Sequence, residues 1–411
     1  MEKMQRRALW LVVGATGCTL ALLGVGSGLV MLVLTLVGGK PLTVTETLPI
    51  AGMVGIGLGF GLALALHGWA GWQGQPSRPF NPSGIGWLWL GLALLIGLGA
   101  VISSLSIAPA LLLPPVHIAA MSLIPLTVLG VAGRALRGEG GCWREVVAVV
   151  TGGGSLGLSI SVIGEAAVGL AMLIGITMIA LMMPGGGEYI ATLARNLQNP
   201  AWLADFTNLA HLLLRPAVAL SVWGLFSVPV PLIEEFAKTL AVGLVGRWVR
   251  PQPARAFLWG VAGGAGFALV ENVFNGALGG AGGWAVGAVS RLGATVMHCI
   301  TGGLVGWGWG QLWTARRPLR LVGSYLLAVV LHGTWNTLSV GAVLLSASAW
   351  VQQGNEMAAT LIGFGMLVLL MLLGTLTVTF AFALHFVGRR LALGADSGER
   401  VIEEVALAQQ V

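Results

Sequence analysis

Long apolar runs, separated by short polar stretches, dominate the 411-residue sequence. About ten of these runs are long enough for a helix that crosses the hydrocarbon core of a bilayer, which is roughly 30 Å thick. The pattern therefore predicts an all-α, polytopic transmembrane helix bundle of about ten spans, located as a multi-pass protein in the cell membrane. The predicted spans are residues 9–37, 48–67, 85–105, 110–132, 146–183, 216–247, 257–277, 285–313, 321–348 and 359–388.

Two of the runs are irregular. The run 146–183 is longer than one span needs, and a re-entrant turn could lie around Gly152–Gly154. The run 216–247 is interrupted by Pro229 and Pro231. Because proline is well tolerated in the first turn of a helix, Pro231 predicts that a new helix begins here.

The basic residues predict the orientation of the spans, because cytoplasmic loops are enriched in lysine and arginine. With the N-terminus in the cytoplasm, most of the 21 lysine and arginine residues fall in cytoplasmic segments. Dividing 146–183 into two spans would invert every later loop and destroy this bias. We therefore expect both termini in the cytoplasm and an amphipathic segment, Pro184–Leu214, on the outer side.

The composition excludes other classes of protein. Hydrophobic residues make up 56% of the chain and charged residues only 9%, whereas a soluble domain carries about 25% charged residues. The net charge of +6 does not predict nucleic-acid binding, because the arginines fall between apolar runs and not on one polar face. Cys18, Cys142 and Cys299 form neither a disulfide framework nor a CxxC metal motif.

Four consecutive predicted spans after residue 215 contain charged and polar residues that a membrane helix normally lacks. A charged side chain at mid-membrane costs roughly 2.5 kcal/mol or more, so such residues are rare and by default indicate function. The four segments are PLIEEFAK with Glu234, Glu235 and Lys238, FALVENVFN with Phe267, Glu271 and Asn272, SRLGATVMHCITGG with Arg291 and His298, and LHGTWNTLS with His332 and Asn336.

The spacing of these residues predicts that they converge. Glu234 and Lys238 are four residues apart, as are His332 and Asn336, so each pair shares one helix face. At a rise of about 1.5 Å per residue, the glutamates and histidines of all four spans lie roughly 18–27 Å from the nearest cytoplasmic arginine. They therefore share one level, in the middle to outer half of the bilayer.

Carboxylates and imidazoles that converge in a dry site can bind a divalent metal ion or can activate a water molecule. The Lys238 ammonium and the Asn336 amide could stabilise an oxyanion there.

Other interpretations of these polar residues stay open. Intramembrane Glu, Lys and His also occur in proton- or ion-coupled transporters, the protein could be an inactive membrane scaffold, and Glu271 could serve mainly to pair with Arg291. Glu165, in the middle of its span, has no assigned role.

Taken in order, the motifs EExxK, FxxxE, a later histidine and HxxxN resemble those of the PrsW family of intramembrane proteases. That family is related to the CAAX prenyl-protease and bacteriocin-processing group. The resemblance covers about residues 216–345. It implies an endopeptidase that hydrolyses a peptide bond in a membrane-anchored protein, which in some members is an anti-sigma factor. The first five spans and the tenth extend beyond the compact core of the family.

The resemblance also suggests how the chain is organised. Four regions are expected: a four-span N-terminal extension, a long fifth span with the outer segment, a four-span protease core, and the tenth span with a cytoplasmic tail. Their bounds are 1–145, 146–215, 216–348 and 349–411.

The donor types and the resemblance together define the candidate site. Two histidines and up to three glutamates could supply a three-ligand zinc site with an open water position. A glutamate-activated water without a metal is the alternative, with Glu234 as the base. The expected partners are a membrane-anchored protein substrate and the lipid bilayer, without nucleic acid. The candidate catalytic residues are Glu234, Glu235, Lys238, Glu271, His298, His332 and Asn336, and the candidate metal ligands are Glu235, Glu271, His298 and His332.

Overall fold

Helices account for nearly all of the described chain. The structure, a computed structural model, describes the backbone of residues 3–39, 41–276 and 283–408 and the side chains of residues 7–39, 41–276 and 283–394. The predicted cytoplasmic tail after Gly394 therefore lies outside the described side chains. The helices are α1 (Lys3–Val37), α2 (Val44–Trp72), α3 (Ile85–Leu105), α4 (Pro109–Ala135), α5 (Trp143–Gly152), α6 (Leu158–Met182), α7 (Gly186–Leu197), α8 (Pro200–Ala204), α9 (Phe206–Leu213), α10 (Pro216–Ser227), α11 (Pro229–Val249), α12 (Pro253–Asn275), α13 (Trp284–Ala315), α14 (Pro318–Val351) and α15 (Glu356–Ala408).

The predicted all-α bundle is confirmed. Within the described ranges, 10 helical segments are long and apolar enough to cross a membrane, and they match the ten predicted spans to within a few residues. Eight of these are single helices or the membrane part of one, and two combine a pair of helices, α5 with α6 and α10 with α11. The protein is a multi-pass membrane protein, and the orientation of its termini stays a prediction.

The overlong run 146–183 forms one continuous span and has no re-entrant turn. Where the turn was predicted, a π-helical segment, Gly153–Gly157, joins α5 to α6. A side chain at Gly153 would collide with the carbonyl oxygen of Gly263, and one at Gly154 would collide with that of Gly266. The glycines therefore allow the backbone of this segment to lie directly against α12.

The predicted interruption at the two prolines is confirmed. The helix α10 ends at Ser227, Val228 leaves helical geometry with φ −129° and ψ −66°, and α11 begins at Pro229. Since proline lacks an N–H group, it cannot continue the hydrogen bonding of α10. Pro229 and Pro231 instead occupy the first turn of α11, where N–H groups have no helical partner in any case.

The chain forms two compact units, which differ from the four regions expected from the sequence. Unit 1 contains Met1–Leu158, Ala237–Ala328 and Phe380–Val411, and unit 2 contains Ser159–Phe236 and Val329–Thr379. Several long helices contribute residues to both units; α11, for example, belongs to unit 2 as far as Phe236 and to unit 1 from Ala237. The four-region division stays a prediction.

Unit 1 is built around α12, which is buried along almost its whole length. Its glycines face those of α13 so closely that a side chain at Gly260 would collide with the carbonyl oxygen of Gly302. In the α13 sequence GGLVGWGWG, Gly302 and Gly306 both pack against Gly260 of α12. The helices α4 and α5 pack on other faces of α12.

Unit 2 contains the segment that was predicted to be amphipathic. It forms three short helices, α7 to α9, whose residues are mostly exposed. Asn199 caps α8 by accepting a hydrogen bond from the N–H of Ala201, and Asp205 caps α9 by accepting one from the N–H of Thr207. The capping residues explain why this segment divides into separate helices.

Candidate active site

His332 lies beside two carboxylates in unit 2. Its Nδ1 is 2.7 Å from Oε1 of Glu235, and its Nε2 is 3.6 Å from Oε2 of Glu234. The exposed fractions of Glu234, Glu235 and His332 are only 6%, 0% and 1%. An ionised carboxylate can only accept hydrogen bonds, so the short contact indicates that the Nδ1–H of His332 donates to Glu235.

The start of α11 places the two glutamates. Asn336 donates its amide N–H to the backbone carbonyl oxygen of Phe226 at 3.0 Å, and Thr337 donates to the Ser227 hydroxyl at 2.8 Å. A side chain at Gly333 would collide with the carbonyl oxygen of Ser227. These contacts hold α14 against the end of α10, next to the point where α11 begins.

Asn336 therefore has a structural role at the helix break. The carbonyl of Phe226 lies in the last turn of α10, where it lacks the next-turn N–H partner that a continuous helix would provide. The predicted role of Asn336 in stabilising an oxyanion stays a prediction. Its amide has a second N–H donor that this contact does not use.

Glu271 is the centre of a polar cluster in unit 1. Its Oε2 lies 2.9 Å from Nε2 of His298 and 2.8 Å from Nη2 of Arg291. The alternative pairing of Glu271 with Arg291 thus occurs together with the predicted approach to His298. The guanidinium of Arg291 also donates from Nε to Oδ1 of Asn272 at 2.7 Å, so Glu271 and Asn272 hold it from neighbouring positions on α12.

Lys238 reaches the other nitrogen of His298. Its Nζ is 2.9 Å from Nδ1 of His298 and 3.4 Å from the Thr301 hydroxyl, and it lies 5.7 Å from the centre of the Phe267 ring. An ammonium can only donate, so Nδ1 of His298 accepts from Lys238 while Nε2–H donates to Glu271. Lys238 is fully buried, and its contacts fix one tautomer of His298.

Glycines bring the backbones around this cluster together. A side chain at Gly264 of α12 would collide with the carbonyl oxygen of His298. A side chain at Gly157 would come within 3.0 Å of the carbonyl oxygen of Ala237 and 3.2 Å of the Cα of Lys238. The close backbone approach explains how the polar groups of α11, α12 and α13 come within hydrogen-bonding distance.

A second hydrogen-bonded group fixes the ends of α12 and α13. The indole N–H of Trp284, the first residue of α13, donates to Nδ1 of His117 at 2.9 Å. Nε2 of His117 therefore carries the ring proton and donates to the carbonyl oxygen of Val273 at 2.8 Å. Both His117 and Trp284 are fully buried. This group was not predicted. A single histidine and a single tryptophan in two apolar runs give no spacing from which their contact could be inferred.

The remaining polar residues of the spans have local partners. Glu165 accepts a hydrogen bond from the Ser161 hydroxyl at 2.6 Å, one turn earlier on α6. Cys299, next to His298 in the sequence, is buried. Among the partners described here, Thr301 and Asn272 are absent from the candidate set drawn from the sequence, although Asn272 follows Glu271 directly and Thr301 lies one turn after His298.

The donor types fit a metal ion. Glu234, His298 and His332 are buried, and each offers one carboxylate or imidazole ligand atom. Buried imidazole and carboxylate groups are the usual protein ligands of zinc where cysteine does not contribute. The protein therefore carries a glutamate and histidine donor set that is compatible with a metal centre, whose metal the donors alone do not specify.

Comparison with known proteins points in the same direction. A family model described as PrsW family intramembrane metalloprotease matches residues 162–373. The match covers a little over half of the chain and includes all four polar segments. No curated protein and no solved structure matches the chain.

Proposed function

Because the chain belongs to the PrsW family of intramembrane metalloproteases, we propose that it cleaves a membrane-anchored protein by metal-assisted hydrolysis of a peptide bond. The family assignment confirms the resemblance carried by the four motifs. That the protein is an intramembrane protease follows from the family; the substrate class, the residues that act and the chemical mechanism are the proposal.

The observation that carries the proposal is the separation of His332 from Glu234. Two ligands of one tetrahedral zinc ion, each at about 2.0–2.1 Å, lie roughly 3.4 Å apart. The distance between Nε2 of His332 and Oε2 of Glu234 is 3.6 Å, too long for a hydrogen bond and close to that ligand spacing. Both atoms could thus bind the same ion with little movement.

The tautomer of His332 supports the same conclusion. Histidines that bind metals usually donate their other ring N–H to a carboxylate, which fixes the ring orientation and makes the ligand nitrogen more basic. Glu235 accepts such a bond from Nδ1 of His332, so Nε2 is the nitrogen that a metal would bind. Glu235 then orients a ligand instead of binding the metal itself.

We propose Glu234 and His332 as metal ligands. One helix, α11, carries Glu234 and Glu235 one turn before Lys238, so it contributes to both clusters described above. Glu271 and Lys238 hold the two ring nitrogens of His298, so we assign His298 the role of positioning these two residues instead of binding the metal. The ligand set expected from the sequence contained Glu235, Glu271, His298 and His332; the hydrogen bonds of Glu235, Glu271 and His298 favour an orienting role for these three.

Zinc, when bound, would make a water more acidic and polarise the scissile carbonyl group. The protein contributes the remaining groups. Lys238 and the second N–H of Asn336 are the proposed donors for the oxyanion, because hydrogen-bond donors fixed in advance stabilise developing charge in a dry site. Lys238 is fully buried, which keeps bulk water away from its ammonium.

A cleavage assay in proteoliposomes tests the proposal. The purified full-length chain is reconstituted with a labelled single-span substrate, and product fragments are measured together with bound metal by mass spectrometry. Glu234→Gln and His332→Gln should abolish cleavage and lower the metal content. The matched controls are Glu188→Gln and His211→Gln, at two exposed residues of the segment α7–α9. These substitutions should leave both cleavage and metal content unchanged. Full cleavage by both site variants would overturn the proposal.

A further inference from the structure

A basic cavity of about 410 Å³ lies at one end of three membrane helices of unit 1. The first turn of α3 and the last turn of α4 form two of its walls, and Arg137 lies just beyond the end of α4. The third wall is the turn of α15 from His385 to Arg389. Arg134, Arg137, His385 and Arg389 supply its polar lining. Its lining includes none of the residues of the polar clusters around His298 and His332.

The backbone fixes the arginines around this cavity. His385 and Arg389 are one turn apart on α15 and face the same side. Gly388, between them, lies so close to α4 that a side chain there would come within 3.0 Å of the Cβ of Ala135. Arg137 adopts φ +53° just after α4 ends, which redirects the chain at the rim of the cavity.

The charges of this cavity are not balanced by the protein. In the part of the chain that the structure describes, Arg134, Arg137 and Arg389 form no ion pair and no side-chain hydrogen bond, and no acidic residue lines the cavity. By contrast, Arg255 and Arg291 are each paired with a glutamate. Three guanidinium groups around one cavity repel each other, and a bound anion would relieve that repulsion.

The rest of the lining is apolar. Ile85 and Val131 belong to the membrane-spanning parts of α3 and α4, and they contribute to the same cavity. A ligand that fits the cavity therefore combines an anionic group with apolar chains. The arginine-rich loops predict that this end faces the cytoplasm, and basic pockets between transmembrane helices on that side suit anionic lipid headgroups.

We propose that this cavity binds the phosphate headgroup of an anionic phospholipid. The three guanidinium groups hold the phosphate oxygens, for which their planar donor geometry is well suited. The acyl chains lie along the apolar surface formed by α3 and α4. The site is independent of the proposed proteolysis, since its residues lie outside the polar clusters that carry the catalytic proposal.

Native mass spectrometry of the purified full-length protein tests this site. The protein, in a neutral detergent, is titrated separately with phosphatidylglycerol, phosphatidylcholine and inorganic phosphate. The wild-type protein should retain phosphatidylglycerol. The triple variant R134Q/R137Q/R389Q should retain it at least about tenfold more weakly, because it removes all three guanidinium groups that attract the anionic headgroup.

A second triple variant provides the matched control. R250Q/R316Q/R317Q removes three exposed arginines that are also predicted to be cytoplasmic but that lie outside the cavity. It should retain phosphatidylglycerol as the wild-type protein does. The single variant R389Q, on the exposed face of α15, tests the site with less risk to folding, and it should give a smaller loss in the same direction.

Two results would overturn the lipid proposal. One is equal retention of phosphatidylglycerol by the two triple variants, which would show that lipid retention depends on the net charge of the protein and not on the cavity. The other is tight retention of inorganic phosphate with displacement of the lipid, which would identify a free phosphate site. Retention of phosphatidylglycerol over both phosphatidylcholine and phosphate, lost only in the cavity variants, supports the proposal.

Discussion

The imidazole of His332 and the carboxylate of Glu235 form a buried pair, with 2.7 Å between Nδ1 and Oε1. The pair orients Nε2 of His332, which is the proposed metal-binding nitrogen. We expect Glu235→Gln to weaken metal binding about 10–100-fold, because loss of a group that orients a metal ligand has effects of this size. Metal titration of the purified variant measures the effect, with Glu356→Gln in the exposed first turn of α15 as control. Unchanged metal affinity in Glu235→Gln would contradict the orienting role.

Metal removal separates the two mechanisms that the sequence left open. A chelator should abolish cleavage in proteoliposomes, and added zinc should restore it. A glutamate-activated water requires no metal, so a preparation with no measurable metal and undiminished activity would establish that mechanism instead. Thermal unfolding with and without chelator shows whether any loss of activity arises from unfolding of the protein.

The contact between Trp284 and His117 should stabilise unit 1. Trp284→Phe keeps an aromatic ring but removes the N–H donor, which leaves Nδ1 of the buried His117 without this partner. A buried polar group that loses its partner costs about 1–3 kcal/mol, so the unfolding temperature should fall. Trp87→Phe, at an exposed tryptophan of α3, is the control and should have little effect. Equal unfolding temperatures of the two variants would mean that the hydrogen bond contributes nothing.

The contact between Gly264 and His298 predicts a strong effect of one methyl group. Gly264→Ala should destabilise unit 1 by about 1–3 kcal/mol, because overpacking forces the backbones apart, and it should reduce cleavage by displacing His298. Gly97→Ala is the matched control on α3, where no atom lies within 4 Å of the added Cβ. Since alanine favours the helix over glycine, the control should be neutral or slightly more stable. A neutral Gly264→Ala would show that α12 and α13 can separate without cost.

Cysteine labelling tests the predicted orientation. In a variant that lacks Cys18, Cys142 and Cys299, Arg317→Cys should react only with a reagent that has access to the cytoplasm. Arg195→Cys, in the outer segment, should react with an impermeant reagent added outside intact cells. Outside labelling of Arg317→Cys would refute the predicted orientation of the ten spans.

The spans could be predicted from the sequence because their signal is local. A run of apolar residues of the required length forms a membrane helix whatever its neighbours are, and proline ends a helix through its own ring. The π-helical segment Gly153–Gly157 was not predictable in the same way. A π-turn differs from an α-helix in its hydrogen bonding, and the glycines there were equally compatible with a re-entrant turn.

The residues of the candidate site could be predicted because a charged side chain in the bilayer core has a high free-energy cost. Glu234, Glu271, His298 and His332 stood out for that reason alone. Their hydrogen bonds could not be predicted, because these depend on which helix faces pack together. Packing in unit 1, for instance, brings the ammonium of Lys238 to His298, 60 residues away in the sequence. The contact of His117 with Trp284 likewise joins residues that are distant in the sequence.

The complete enclosure of α12 has a consequence for the biogenesis of the protein. Its side chains, from Ala254 to Val273, are almost all covered by other helices, and it carries Glu271 and Asn272 near one end. A segment with these polar groups enters lipid alone at a cost, since its carboxylate would have to cross or remain in hydrocarbon without Arg291 and His298. We therefore expect stable insertion of α12 to depend on α13, which supplies the partners of Glu271.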